Sequence, residues 1–121
     1  MKKKRIIIIC CAMMLTIAVI GIIYYMNAPI LEMNRTVLNG GQVANGCGIT
    51  IDSGKEVLVK YDSTVKDGDL TIRLTDENWN TIKEFQTDIY GEEKIYLESG
   101  KYNFRVESEY FKGTYHVKVY D

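Results

Sequence analysis

Residues 100–119 read GKYNFRVESEYFKGTYHVKV. Within this stretch Tyr102, Phe104 and Val106 alternate with Asn103, Arg105 and Glu107, and Tyr115, Val117 and Val119 alternate with Thr114, His116 and Lys118. An extended chain sends successive side chains to opposite faces, so each run has one apolar and one polar face. That is the pattern of a half-buried antiparallel strand. Working backwards, the same period of two recurs in Ile95 and Leu97, in Leu70, Ile72 and Leu74, and in Val57, Val59 and Tyr61. Ile82 and Phe85 suggest a further strand over residues 81–87, and Ile49 with Ile51 another. Between them lie the turn signals Asp52-Ser53-Gly54, Lys66-Asp67-Gly68-Asp69, Asp76-Glu77-Asn78, Tyr90-Gly91-Glu92, Ser99-Gly100 and Lys112-Gly113. Punctuation of this density predicts an all-β domain, a small antiparallel β-sandwich of about seven strands over residues 49–121.

The 121-residue chain holds one such domain and little else. Its composition is divided. Lys2, Lys3, Lys4 and Arg5 precede 21 residues, 6–26, that carry no charge. At 1.5 Å per residue that run spans about 30 Å, the hydrocarbon thickness of a bilayer. Residues 1–5 then form a cytoplasmic basic tail and residues 6–26 a transmembrane signal anchor, because basic residues stay on the cytoplasmic side. Tyr24 and Tyr25 end the run where an aromatic pair sits at headgroup level. A cleaved signal peptide is the alternative, but its apolar core is shorter and is followed by a small-residue site. Thr16-Ile17-Ala18 and Val19-Ile20-Gly21 are followed by more apolar sequence, and Met26-Asn27-Ala28 opens with a bulky residue. The partner implied is the lipid bilayer through residues 6–26, and the localisation is a single-pass cell-membrane protein with its C-terminal domain extracytoplasmic.

Residues 27–48, with Pro29, Asn39-Gly40-Gly41 and Asn45-Gly46-Cys47-Gly48, read as a spacer containing at most a short strand at residues 36–38. Without the four N-terminal cations, 11 basic residues remain of 15, against 16 acidic, so the chain after Met26 has a net charge of −5. A surface of that sign excludes nucleic acid as a partner. Of three cysteines, Cys10 and Cys11 lie in the apolar run and read as membrane residues. Cys47 stands alone in the exported part, as a small buried side chain or an intermolecular bridge.

The pattern Gly100-x-Tyr102-x-Phe104-x-Val106, followed by Gly113-x-Tyr115-x-Val117-x-Val119, resembles the closing hairpin of bacterial pre-peptidase C-terminal domains. Residues 69–76 look like their central strand and residues 55–61 like the strand before it. The resemblance implies a jelly-roll-like sandwich in an accessory or binding role without catalytic residues. It also implies a hydrolase beside the domain, and this chain contains no catalytic domain.

No phosphate loop, nucleophile–base spacing or paired metal ligand is present, so no enzyme activity, cofactor or metal is expected. His116 reads as a solvated strand residue, Glu92-Glu93 as part of a solvated turn, and Asp62, Asp67, Asp69 and Asp76 as turn carboxylates rather than a calcium loop. The single tryptophan, Trp79, lies in a turn, either capping the sandwich or exposed as a stacking platform. Tyr61, Tyr102 and Tyr115 point inward by phase, whereas Tyr90, Tyr96 and Tyr110 join Trp79 as the candidate binding surface. The expected function is a non-enzymatic, membrane-anchored extracytoplasmic module that recognises a protein or cell-wall glycan. The alternatives are a structural or stress-related envelope protein and an accessory subunit of a separate hydrolase.

Overall fold

The computed structural model describes the backbone of residues 2–26 and 28–121, and their side chains except those of Lys2, Tyr24, Tyr25 and Met26. The expectations placed on Tyr24 and Tyr25, and on the Met26-Asn27-Ala28 boundary, lie outside the described residues. Helix α1 (Lys2–Met26) is followed by six strands: β1 (Leu31–Ile51), β2 (Lys55–Gly68), β3 (Thr71–Asp76), β4 (Thr81–Phe85), β5 (Tyr90–Leu97) and β6 (Gly100–Tyr120). α1 is long and apolar enough to cross a membrane, and none of its membrane-length span is buried against the rest of the chain.

The strands form one antiparallel sheet in the order β4-β3-β6-β2-β5, with β1 on the other side of β6. β1 and β6 have 21 residues each. A straight strand of that length would reach about 70 Å, several times the ~12 Å radius of gyration of a domain this size. Both must therefore fold over. The N-terminal part of β6 pairs with β3 through residues 102–107 and its C-terminal part with β2 through residues 111–120, while β1 follows it along both. The sheet closes on itself as a two-layered sandwich, with β4, β3 and the first half of β6 in one layer and β5, β2 and the second half in the other.

The bend is written into the register. Between Gly41↔Phe111 and Val43↔Ser108, β6 contains one more residue than β1. This bulge shifts the inward phase of β6 from even numbers (Phe104, Val106) to odd ones (Phe111, Tyr115, Val117, Val119). The two Gly–Tyr motifs are thus one continuous strand and not a hairpin. Gly113 sits inside β6 at φ +147°, and a Cβ there would lie 1.9 Å from the Thr64 carbonyl oxygen of β2. Only glycine lets the two strands approach so closely at the bend.

Three further expectations are corrected. The segment 27–48 is not a spacer, because β1 begins at Leu31 and buries Leu31, Met33 and Val43. Its glycines misled because an edge strand tolerates them. Tyr90-Gly91-Glu92 is not a turn but the start of β5, where Gly91 lies against the Tyr61 ring. Glu93 is not in a solvated turn: it lies on the inward face of β5, 3.5 Å from Lys83 of β4, and one of its carboxylate oxygens is buried without a hydrogen-bond partner. Burial first, and then the charge of Glu93, push the Tyr61 phenol upward from its ordinary pKa.

The core lies between the layers. Val57, Val59, Ile72, Leu74, Phe104, Val106, Val117 and Val119 are fully buried, and Tyr61 meets Phe85 across the layers at 5.1 Å. Asn45 of β1 donates to the hydroxyl of buried Tyr115 at 3.0 Å, satisfying a polar atom that would otherwise be costly. Tyr102 and Cys47 are partly buried against this cluster.

Candidate functional site

Trp79 is held by the β3–β4 turn. The Asp76 carboxylate accepts the backbone N–H groups of Asn78 and Asn80 at 2.9 Å each and the Asn80 side-chain amide at 3.1 Å. These bonds, led by the Asn80 N–H, lower the Asp76 pKa from its ordinary value. A tight turn of this kind forces one residue into the left-handed region, and here it is Trp79, with φ 66°. A bulky side chain there costs of order 1 kcal/mol or more. The indole does not cap the core. It is 56% exposed, with the Arg105 guanidinium stacked over its ring at 4.8 Å. Arg105 also bonds to Glu107, which accepts from Arg73 at 3.3–3.4 Å. Burial raises the Glu107 pKa, but the two guanidinium bonds outweigh it and hold the carboxyl below its ordinary value. Across β6, Arg105 pairs in register with Gly46, which leaves low backbone beside the stacked pair, whereas the Asn103 side chain leans over its own partner Gly48.

The outer face of the second layer is organised differently. Strand register places Asn34, His116, Asp62 and Tyr90 in one row and Glu32, Lys118, Lys60 and Glu92 in the next. A cleft of about 230 Å³ opens among Asp62, Tyr90, His116, Lys118 and Tyr120. His116 Nε2 is 2.9 Å from Glu32, and this bond holds the Glu32 carboxyl below its ordinary pKa. The Tyr90 hydroxyl donates to Glu92, which raises the phenol's pKa. Lys60 lies 5.2 Å above the Tyr120 ring and 3.7 Å from Glu92.

The structure separates the four residues that sequence reasoning grouped. Trp79 is on the first layer and Tyr90 on the second. Tyr96 is on the same strand as Tyr90, but six residues apart is about 20 Å, and its hydroxyl end packs at Gly54. Tyr110 sits at the β6 bulge, against Gly40 and Gly68. No single aromatic patch unites them.

What sequence reasoning missed is the His116 row. His116 reads from sequence as a residue of a polar face, and its neighbours Glu32 and Asp62 come from other strands, 84 residues away in the case of Glu32. Only register could bring them together. The turn carboxylates are dispersed: Asp67 accepts from the Gly68 N–H, Asp69 accepts from Ser108, and Asp76 holds its turn. Among the described residues no group of three or more His, Cys, Asp or Glu is arranged to hold a metal.

No family model matches the sequence, and no curated protein sequence matches it. Solved structures do. The pre-peptidase C-terminal domain of collagenase from Bacillus anthracis superposes with a TM-score of 0.57 at 19% identity, covering 78% of this chain and 89% of that one. PliG from Aeromonas hydrophila, a periplasmic lysozyme inhibitor of g-type lysozyme, gives 0.50 at 15% identity over 76% and 87%. At these identities the likeness is one of fold. The β-domain has the small β-sandwich fold of a pre-peptidase C-terminal domain.

Proposed function

We propose that this chain is a membrane-anchored, extracytoplasmic binding module without catalytic activity, which recognises a protein or a cell-wall glycan through the face that carries Trp79. The observation behind this reading is the indole itself. A domain that only spaces or protects gains nothing from placing its one tryptophan in a left-handed turn and leaving it 56% exposed. Arg105 covers one ring face and orients the indole, and the Gly46 backbone beside it leaves room for a flat ligand. A sugar ring or an extended peptide has the shape to lie there. PliG has this fold and is a lysozyme inhibitor of the periplasm, which supports an envelope role with a macromolecular partner. Anchoring rests on α1, whose basic N-terminal residues Lys3, Lys4 and Arg5 favour a cytoplasmic start.

Because Trp79 is the chain's single tryptophan, its fluorescence reports this surface alone. Full-length protein in detergent micelles should change emission when titrated with peptidoglycan fragments, and a lysozyme, which has tryptophans of its own, is tested by retention on the immobilised protein. Trp79→Ala should abolish retention of that partner and leave the thermal midpoint of the domain unmoved. A variant that still retains the partner, or that melts early, removes the support for this reading.

A further inference from the structure

Three strand edges of the sandwich are open, and two of them are guarded. β4 has only five residues and carries Lys83 and Glu84. β5 turns Glu93 inward, sets it 3.5 Å from Lys83 as an ion pair and adds Lys94 on the outer side. Short edges, lysines and inward charges are the devices by which sheets refuse a further strand. The third edge is interrupted by register shifts between Val37 and Val43, but beyond them it has none of these devices. Among the described residues β1 pairs with β6 alone, and over residues 41–51 (GQVANGCGITI) it carries no charge and no proline. In a strand bonded on one side, alternate backbone N–H and C=O groups point away and can accept another strand.

We propose that this edge is a self-association surface that receives the same segment of a second copy, antiparallel, about a two-fold axis near Cys47. The segment suits its own image. Pairing centred on Cys47 sets Val43 opposite Ile51 and Asn45 opposite Ile49, on the inward face where Val43, Ile49 and Ile51 are already buried. On the outward face Ala44 meets Thr50 and Gly46 meets Gly48, all small, and Gln42 meets Asp52, so no like charges are opposed. A partner of other sequence would need its own uncharged strand of matching length, and a second copy supplies one by construction. The two-fold closes the assembly at a dimer, because the guarded β4 and β5 edges offer no third copy a place. The inference rests on the β1 edge and not on the ligand reading of Trp79, although Gly46 borders both.

The experiment uses the full chain with Cys10→Ser and Cys11→Ser, so that Cys47 is the single thiol, in native membranes and in detergent. A short bismaleimide should link Cys47 of two copies into a covalent dimer. Ala44→Lys with Thr50→Lys sets lysine against lysine across the pair and should lower that yield at least ten-fold. Ala44→Glu with Thr50→Glu should do the same, and co-expressing the two variants should restore cross-linking between them. Both positions are exposed, and an unchanged circular dichroism spectrum shows that the fold is kept. Absence of the Cys47 dimer, a dimer indifferent to both charge pairs, loss without rescue on mixing, or linkage of Cys47 to a different protein would each overturn the proposal.

Discussion

Gly113→Ala is the perturbation that tests most directly how the sheet folds over. A methyl group at position 113 would stand 1.9 Å from the Thr64 carbonyl oxygen and 3.1 Å from the Phe111 ring. Ordinary carbon–oxygen contact is roughly 3.3 Å, so β2 must retreat from β6 by more than about 1 Å. That retreat strikes the pairs Val65↔Gly113 and Thr64↔Thr114, which hold the second layer to the bend. Overpacking of this kind costs about 1–3 kcal/mol. The alanine must also adopt φ +147°, which adds of order 1–3 kcal/mol. Together about 2–6 kcal/mol is taken from a stability of roughly 5–15 kcal/mol. The control is Gly41→Ala, also at the bend, where a Cβ meets nothing within 4 Å. It should stay within about 0.5 kcal/mol of the parent protein. Urea denaturation followed by circular dichroism in the strand band compares the two. If Gly113→Ala lies within about 1 kcal/mol of Gly41→Ala, then close approach at the bend is not what requires glycine, and the account of the single bent strand is wrong.

Phe104→Ala should cost about 3–5 kcal/mol in the same assay, because Phe104 is fully buried and stacks on Phe85 at 6.3 Å. Asp76 should give an acid-dependent contribution. Its folded-state pKa is depressed, so its stabilisation is present above the unfolded-chain value of about 3.9 and is lost as pH falls through the lower folded value. The difference in melting midpoint between the parent and Asp76→Asn should therefore be constant from neutral pH to about pH 5 and shrink below pH 4; a difference that grows on acidification contradicts the assigned bonds. Intact-mass measurement on protein extracted from membranes should give the uncleaved 13.9 kDa chain, and a mature start near Val19 or Ile22 would replace the anchor with a signal peptide.

The elements that sequence determined alone are those whose signal is local. Alternation at residues 57–61, 70–74, 102–106 and 115–119 marks buried faces, because period two is a property of the strand itself. The core that results contains Val57, Val59, Ile72, Leu74, Phe104 and Tyr115, as that pattern requires. The uncharged run behind Lys2–Arg5 is likewise sufficient to form a helix of membrane length, since helix propagation needs no distant partner. What tertiary structure decided is everything that depends on register. Whether Gly113 turns the chain or lets it bend depends on how near Thr64 comes, and Thr64 lies 49 positions earlier. Glycines in residues 40–48 signal a loop in isolation, yet β6 holds the backbone of that segment extended and its Val43 in the core. The surfaces follow the same rule. Trp79 was visible because it is the single tryptophan. The His116–Glu32 pair and the Asp62–Tyr90 row were not, because adjacency across a sheet is set by pairing and leaves no trace in spacing along the chain.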